Sequence, residues 1–252
     1  MYKLLNKIKN KVAKFKNKDI FLYDYEKRYY SQHGEDGVIE KIFQEIHITN
    51  RYYVEFGVEN GSECNTRFFR EQHQFNGLLM DGGNENDAIN LKQEFITAEN
   101  INELFEKYNV PESFDLLSID IDYNDFWVLN ALSPKYKPRV IVAEVNTSTP
   151  PNEDKIVPYN PFTVWDGSRY FGASLLAMTR LAQTKGYELV YVESTGTNAF
   201  YVKKDILDNL KVKFQHQGNI NKCYRYPTYG PLFFKGHPKS PKRHYVSSNI
   251  PD

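Results

Sequence analysis

Cysteine is scarce in this 252-residue chain. Cys64 and Cys223 stand far apart without CxxC spacing, which excludes a disulfide framework and a cysteine zinc site and leaves both as free thiols. Long apolar runs are missing as well. No stretch approaches the ~18 consecutive apolar residues of a membrane span, and the first segment lacks the apolar region and small-residue cleavage site of a secretion signal. A cytoplasmic protein is expected. Nor is there an excess of either charge: 32 Lys and Arg balance 32 Asp and Glu, so no global field draws the chain to nucleic acid. No internal repeat or low-complexity block is present, and one core suffices for a chain of this length.

Charge is concentrated locally at the start. The segment MYKLLNKIKNKVAKFKNK is rich in lysine and free of acids, with Leu5, Ile8, Val12 and Phe15 at helical spacing. Residues 1–28 therefore read as a basic amphipathic segment. Its stripe would pack on the domain or on a second copy in a homo-oligomer, or residues 1–18 would make a peripheral membrane contact.

Further on, strands and helices alternate. SQHGEDGVIEKIFQEI has a helical stripe, with Ser31 or Asp36 as a start signal. RYYVEF, the run ending in NGLLMDGG, FDLLSIDID and PRVIVAEVN read as strands, each closing on an acid: Glu55, Asp81, Asp120 or Asp122, and Glu144. If the third strand continued through Asp122, Asp120 and Asp122 would point the same way. The segment 147–172, rich in proline and aromatics, reads as a substrate loop over the strand ends. A helix follows to near Gly186, and YELVYVES and TNAFYVKKD form an antiparallel pair. The expected fold is α/β: a mostly parallel sheet with an antiparallel edge and helices on both faces. Residues 29–210 would form the domain and 211–252 a C-terminal extension without an assigned job.

In such sheets ligands bind beyond the carboxyl ends of the strands. Each acid taken singly is also explained as a helix cap. Four together on one rim favour a site. Gly57 and Gly61 in EFGVENG let the backbone turn close to a ligand, but the third glycine of the dinucleotide signature is missing. Glu55 and Glu59 would repel a pyrophosphate, whereas a cationic ligand would suit the rim. S-adenosylmethionine has that charge, and its ribose needs an acidic acceptor.

The order YSQHGEDGVI, YYVEFGVENGSECNTRFF, NGLLMDGG, FDLLSIDIDYNDFWVLNAL, KPRVIVAEVN is similar to that of FkbM-type S-adenosylmethionine-dependent methyltransferases over residues 30–146, and FGASLLA and KGYELVYVES resemble the end of that domain. The resemblance implies a Rossmann-like class I methyltransferase fold and O-methylation, often of a sugar in a glycan or secondary metabolite. It places Glu55 and Gly57 along the methionine part of the cofactor, with Gln32 and Ser62 nearby and Asp120 on the same rim. Asp81 would take the ribose, and Thr97, Ala98 and Glu99 the adenine edge. Val58 and the pair Gly82 and Gly83 depart from the family's usual residues.

Asp122 is the expected base, with Asp120 and His33 as further catalytic candidates; a lone histidine such as His33 is also a common structural hydrogen bonder. Glu144, Asn146, Tyr159, Trp165 and Tyr170 are candidates for the acceptor, although the aromatics would equally pack the loop. The Asp-x-Asp pattern also resembles that of metal-dependent sugar O-methyltransferases, and Asp120, Glu144 and Asn146 would then ligate a divalent ion, a need left open here. The expected acceptor is a nucleotide-linked sugar or a capsule or other surface-glycan precursor. The competing readings are a metal-dependent nucleotide-sugar-binding or glycosyltransferase-like protein, and a non-catalytic scaffold with the methyltransferase fold.

Overall fold

The computed structural model describes residues 19–229 and 236–249. The proposed membrane or packing segment, residues 1–18, lies outside them.

Apolar runs become strands and the intervening amphipathic stretches become helices, in the order α1 (Glu35–Ile46), β1 (Tyr52–Phe56), α2 (Arg67–Gln72), β2 (Asn76–Asp81), β3 (Leu91–Gln93), α3 (Ile101–Lys107), β4 (Ser113–Ile119), α4 (Asp125–Ala131), β5 (Lys137–Glu144), α5 (Leu175–Thr184), β6 (Tyr187–Val192), β7 (Asn198–Lys203), α6 (Lys204–Leu210) and α7 (Ile220–Cys223). The seven strands form one sheet ordered β3-β2-β1-β4-β5-β7-β6. Strands β1 to β5 run parallel, and β7 enters antiparallel between β5 and β6. This is the Rossmann-like sheet expected for a class I methyltransferase. Its strand order reverses between β1 and β4, so a crevice opens beyond their carboxyl ends.

Both faces of the sheet are covered, so its central strands are apolar with little alternation. Val54 and Phe56 of β1 face a layer built from α3, α4 and α5, containing Phe105, Val128 and Met178. Tyr53 faces the opposite layer, where Val38, Ile42 and Phe43 of α1 meet Phe69 of α2. Burying each such side chain contributes roughly 1.5–3 kcal/mol.

Two carboxylates tie loops to this frame. Asp115, fully buried on β4, accepts from the backbone of Thr49, Asn50 and Arg51 and pairs with Arg139 at 3.0 Å. Asp36 accepts the backbone N–H groups of Tyr29, Tyr30 and Ser31 at 2.7–2.9 Å, while the Ser31 hydroxyl accepts from the Asp36 amide at 3.2 Å. The two expected start signals thus act as a reciprocal pair that shapes the approach to α1. The residue at the cap itself is Gly34, with a left-handed backbone.

The stretch after residue 210 belongs to the same body. Phe214 is fully buried and bridges Ile20, Cys223 joins the core, and Val246 pairs with Ile156 through two backbone hydrogen bonds of 2.9 Å. No helix among the described residues is long and apolar enough to cross a membrane. Cys64 and Cys223 are both free and buried, and burial pushes both thiols up.

Candidate active site

A cavity of about 620 Å³ opens at the carboxyl ends of β1, β2 and β4, within the range of roughly 300–1,000 Å³ typical of small-molecule sites. Its floor depends on Gly57. There φ is +67°, and a Cβ would stand 1.6 Å from the Asp120 carbonyl oxygen, so a side chain would force the ends of β1 and β4 apart. The Gly57 amide donates to the Met80 carbonyl at 3.0 Å, which holds the turn against β2 as well.

The wall is acidic. Glu59, Glu63, Asp81, Glu94, Asp120, Asp122 and Glu144 line it, and among the described residues no lysine or arginine does. Asp81 accepts the Glu59 amide on Oδ2, and the Gly83 amide, the Asn84 amide and the Asn84 side chain on Oδ1, all at 2.8–3.0 Å. A carboxylate has about four lone-pair sites, so Oδ2 keeps capacity for one ligand hydroxyl. Beside it Gly82 leaves the wall low, and Phe95 and Ile96 present apolar surface, Phe95 being 53% exposed.

The expected extension of β4 through Asp122 does not occur. The strand ends at Ile119, and Asp122 lies in the following turn with φ +65°. Asp120 and Asp122 nevertheless converge with Glu144, and one carboxylate oxygen from each lies within 4.8 Å of the others. Burial raises the Asp120 and Glu144 carboxyls well above the ordinary range; repulsion from Asp125 and then Asp122 raises Asp120 further, and repulsion from Asp120, Asp125 and Asp122 raises Glu144 further. The Asp122 carboxyl is raised by burial and then by Glu59, although the residue is exposed at the mouth.

Glu55 is not part of this wall. Alternation along β1 turns it to the same face as Tyr53, where its carboxylate accepts the Asn65 amide at 2.8 Å, the Thr66 amide at 3.0 Å and the Thr66 hydroxyl at 2.6 Å. It lines only a minor recess of about 40 Å³ next to the main cavity. Its evident task is to hold the β1–α2 loop.

Other expected residues divide in the same manner. Gln32, His33, Gly57, Asp81, Asp120, Asp122, Glu144 and Trp165 line the cavity. Ser62 does not: its amide is taken by Asn60 and its carbonyl by Arg67. Thr97, Ala98 and Glu99 lie beyond the wall, which uses Glu94, Phe95 and Ile96 instead. Tyr159 accepts the Ala98 amide at 3.1 Å and donates to Glu99, pinning the loop 147–172 to that strand end. Asn146 is buried, donates to the carbonyls of Arg169 and Phe171 at 2.9 Å, and accepts the Ser148 amide, so it braces the loop and is not in the carboxylate group. Tyr170 is buried, packs on Tyr123 and Tyr245 and donates to the His244 carbonyl, so it too braces the loop.

Two wall residues carried no recognisable pattern in the sequence. Tyr229 and His237 come from the C-terminal extension. The His237 ring packs edge-on against Trp165 at 4.4 Å, and also meets Tyr229 and Phe171. Burial, then Arg169, lowers its pKa from the ordinary 6.5, so the imidazole is neutral at neutral pH. Glu94 had a usable signal, since it follows β3 as the other acids follow their strands.

No family model matches the chain, and no curated protein matches it. Among solved structures, a SAM-dependent methyltransferase from Aquifex aeolicus is similar over 65% of this chain and 88% of its own, at 11% identity and a TM-score of 0.31. The mitomycin 7-O-methyltransferase MmcR is similar over 66% of this chain and 55% of its own, at 12% identity and a TM-score of 0.31.

Proposed function

We propose that the protein is an S-adenosylmethionine-dependent O-methyltransferase of the FkbM type whose acceptor is a sugar hydroxyl. The observation that carries this reading is the cavity's sign: acids along the wall, and no lysine or arginine among the described residues, at the switch point of a Rossmann-like sheet. A sulfonium and an ammonium are favoured there, and a bare pyrophosphate is not. The same sign favours an uncharged acceptor, such as a surface-glycan precursor, over a nucleotide-linked one.

The residues suit the donor. Asp81 has one acceptor site left for a ribose hydroxyl, Phe95 and Ile96 offer faces for a purine, and Asp120 in the same wall would attract the positive end. When bound, the donor would supply an electrophilic methyl carbon on a positively charged sulfur, the C–S bond breaking with its electron pair left on the neutral thioether as the acceptor oxygen bonds to that carbon. Trp165, in the wall of the same cavity, would offer the acceptor an apolar face. The acceptor's proton must leave as the C–O bond forms. Asp122 at the mouth is one group to take it, with Asp120 close by and His33 elsewhere in the same wall, and neutral His237 is another.

The test is thermal denaturation of the full chain with S-adenosylhomocysteine, with nucleotides and with nucleotide-sugars. Only a ligand of the native state stabilises it, by about 2.7 kcal/mol at a hundredfold excess over Kd. Stabilisation by S-adenosylhomocysteine alone is expected. Stabilisation by a nucleotide-sugar alone would move the protein to the glycosyltransferase-like class, and by none of these to the scaffold reading.

A further inference from the structure

We propose that Asp120, Asp122 and Glu144 form a binding site for a divalent cation. Three carboxylate oxygens, one from each residue, lie within 4.8 Å of one another. The juxtaposition follows from the sheet: Ile119 of β4 is in register with Ala143 of β5, so the next residues, Asp120 and Glu144, leave adjacent strands side by side. The turn at Asp122, with its left-handed backbone, brings the third carboxylate back over them.

A second observation points to a ligand. Glu144 is 8% exposed, and its Oε2 has no hydrogen-bond partner. A buried carboxylate oxygen left unpaired beside two other carboxylates costs free energy until a proton or a cation reaches it. No lysine or arginine among the described residues lines the cavity to do so. The donors are all hard oxygens, which select magnesium, manganese or calcium over zinc or copper. Asn146 is excluded from the set, because both its side-chain atoms are engaged by the loop.

Three ligands from two strand ends leave coordination positions facing the cavity, open to water or to acceptor oxygens. The cation site does not require the methyltransferase reading, but it refines it. With Asp122 engaged as a ligand, the acceptor's proton falls to His237.

The experiment is titration of the full chain with manganese alone, without donor or acceptor, read by calorimetry and by the electron paramagnetic resonance of free Mn²⁺. Wild type is expected to bind one ion. Asp122→Asn and Glu144→Gln are each expected to weaken binding by about tenfold or more, since affinity follows the number of charged ligands. Circular dichroism and the thermal shift with S-adenosylhomocysteine verify that the variants fold. No binding of manganese, magnesium or calcium at millimolar concentration would overturn the site, as would unchanged binding in both variants. If S-adenosylhomocysteine stabilises a chain that binds no cation, only the cation site fails. If cations bind and S-adenosylhomocysteine does not, only the methyltransferase reading fails.

Discussion

His237 shows how much a single side chain in the wall can decide. Its ring has aromatic neighbours, and among the described residues no hydrogen bond to either ring nitrogen. Burial and Arg169 favour the neutral form, so its pKa lies below 6.5 and the basic nitrogen persists into mildly acidic solution. If it accepts the acceptor's proton, activity is retained as pH falls toward 6.5 and is lost only below it. His237→Gln is then expected to lower kcat by about 10²–10⁴ and to remove that acidic limb from the pH–rate profile. An unchanged limb would assign the proton to another group. On the proposed function, Asp122→Asn is expected to fold, to bind donor and to lose a similar share of turnover. Manganese affinity separates its two roles, because a base that is not a ligand leaves that affinity intact. At the same scale Glu55, which stands out in the sequence, proves to be a loop anchor, because alternation sends its carboxylate to the α1–α2 face.

The ends of β4 and β5 are the elements on which the site is built, and their register is secured at the opposite end of the sheet. There Asp115 of β4 joins Arg139 of β5 and collects the amides of Thr49, Asn50 and Arg51, the residues that lead into β1. Arg139 also donates to the carbonyls of Ile46 and His47, where α1 ends. One buried carboxylate therefore fixes α1, β1, β4 and β5 relative to one another. Asp115→Ala leaves the guanidinium and several amides without their acceptor and is expected to cost about 3–5 kcal/mol, read as a lower denaturant midpoint. A cost below 1 kcal/mol would mean that water replaces the carboxylate freely.

At the level of the molecule, the C-terminal extension closes the cavity. It supplies Tyr229 and His237, pairs Val246 with Ile156, and holds Asp154 through Ser247 and Ser248. The loop 147–172 is thus fastened on both sides: by Tyr159 to the segment after β3, and by the extension along its own length. A chain truncated after Tyr229 keeps every strand of the sheet and most of both core layers. Cooperative unfolding is expected to persist, while amides of the loop exchange faster and, on the proposed function, methyl transfer is lost. Loss of all cooperative structure would instead make the extension a required part of the core.

Composition, strand-ending acids and the alternation of apolar runs determined the α/β sheet and its acidic rim without any coordinates. These signals are local: a strand or a helix stripe is written within about 5–12 consecutive residues, and Gly57, Asp81, Asp120, Asp122 and Glu144 each adjoin one. Tertiary structure decided the rest. Which way Glu55 turns depends on what packs on each face of β1, and the partners of Asn146 and Tyr170 depend on how the loop folds back. Whether Asp122 reaches Glu144 depends on register between strands whose paired residues, such as Ile119 and Ala143, are 24 positions apart, and on one left-handed turn. His237 reaches the wall from an aperiodic tail, through contacts whose sequence separation leaves no periodic trace.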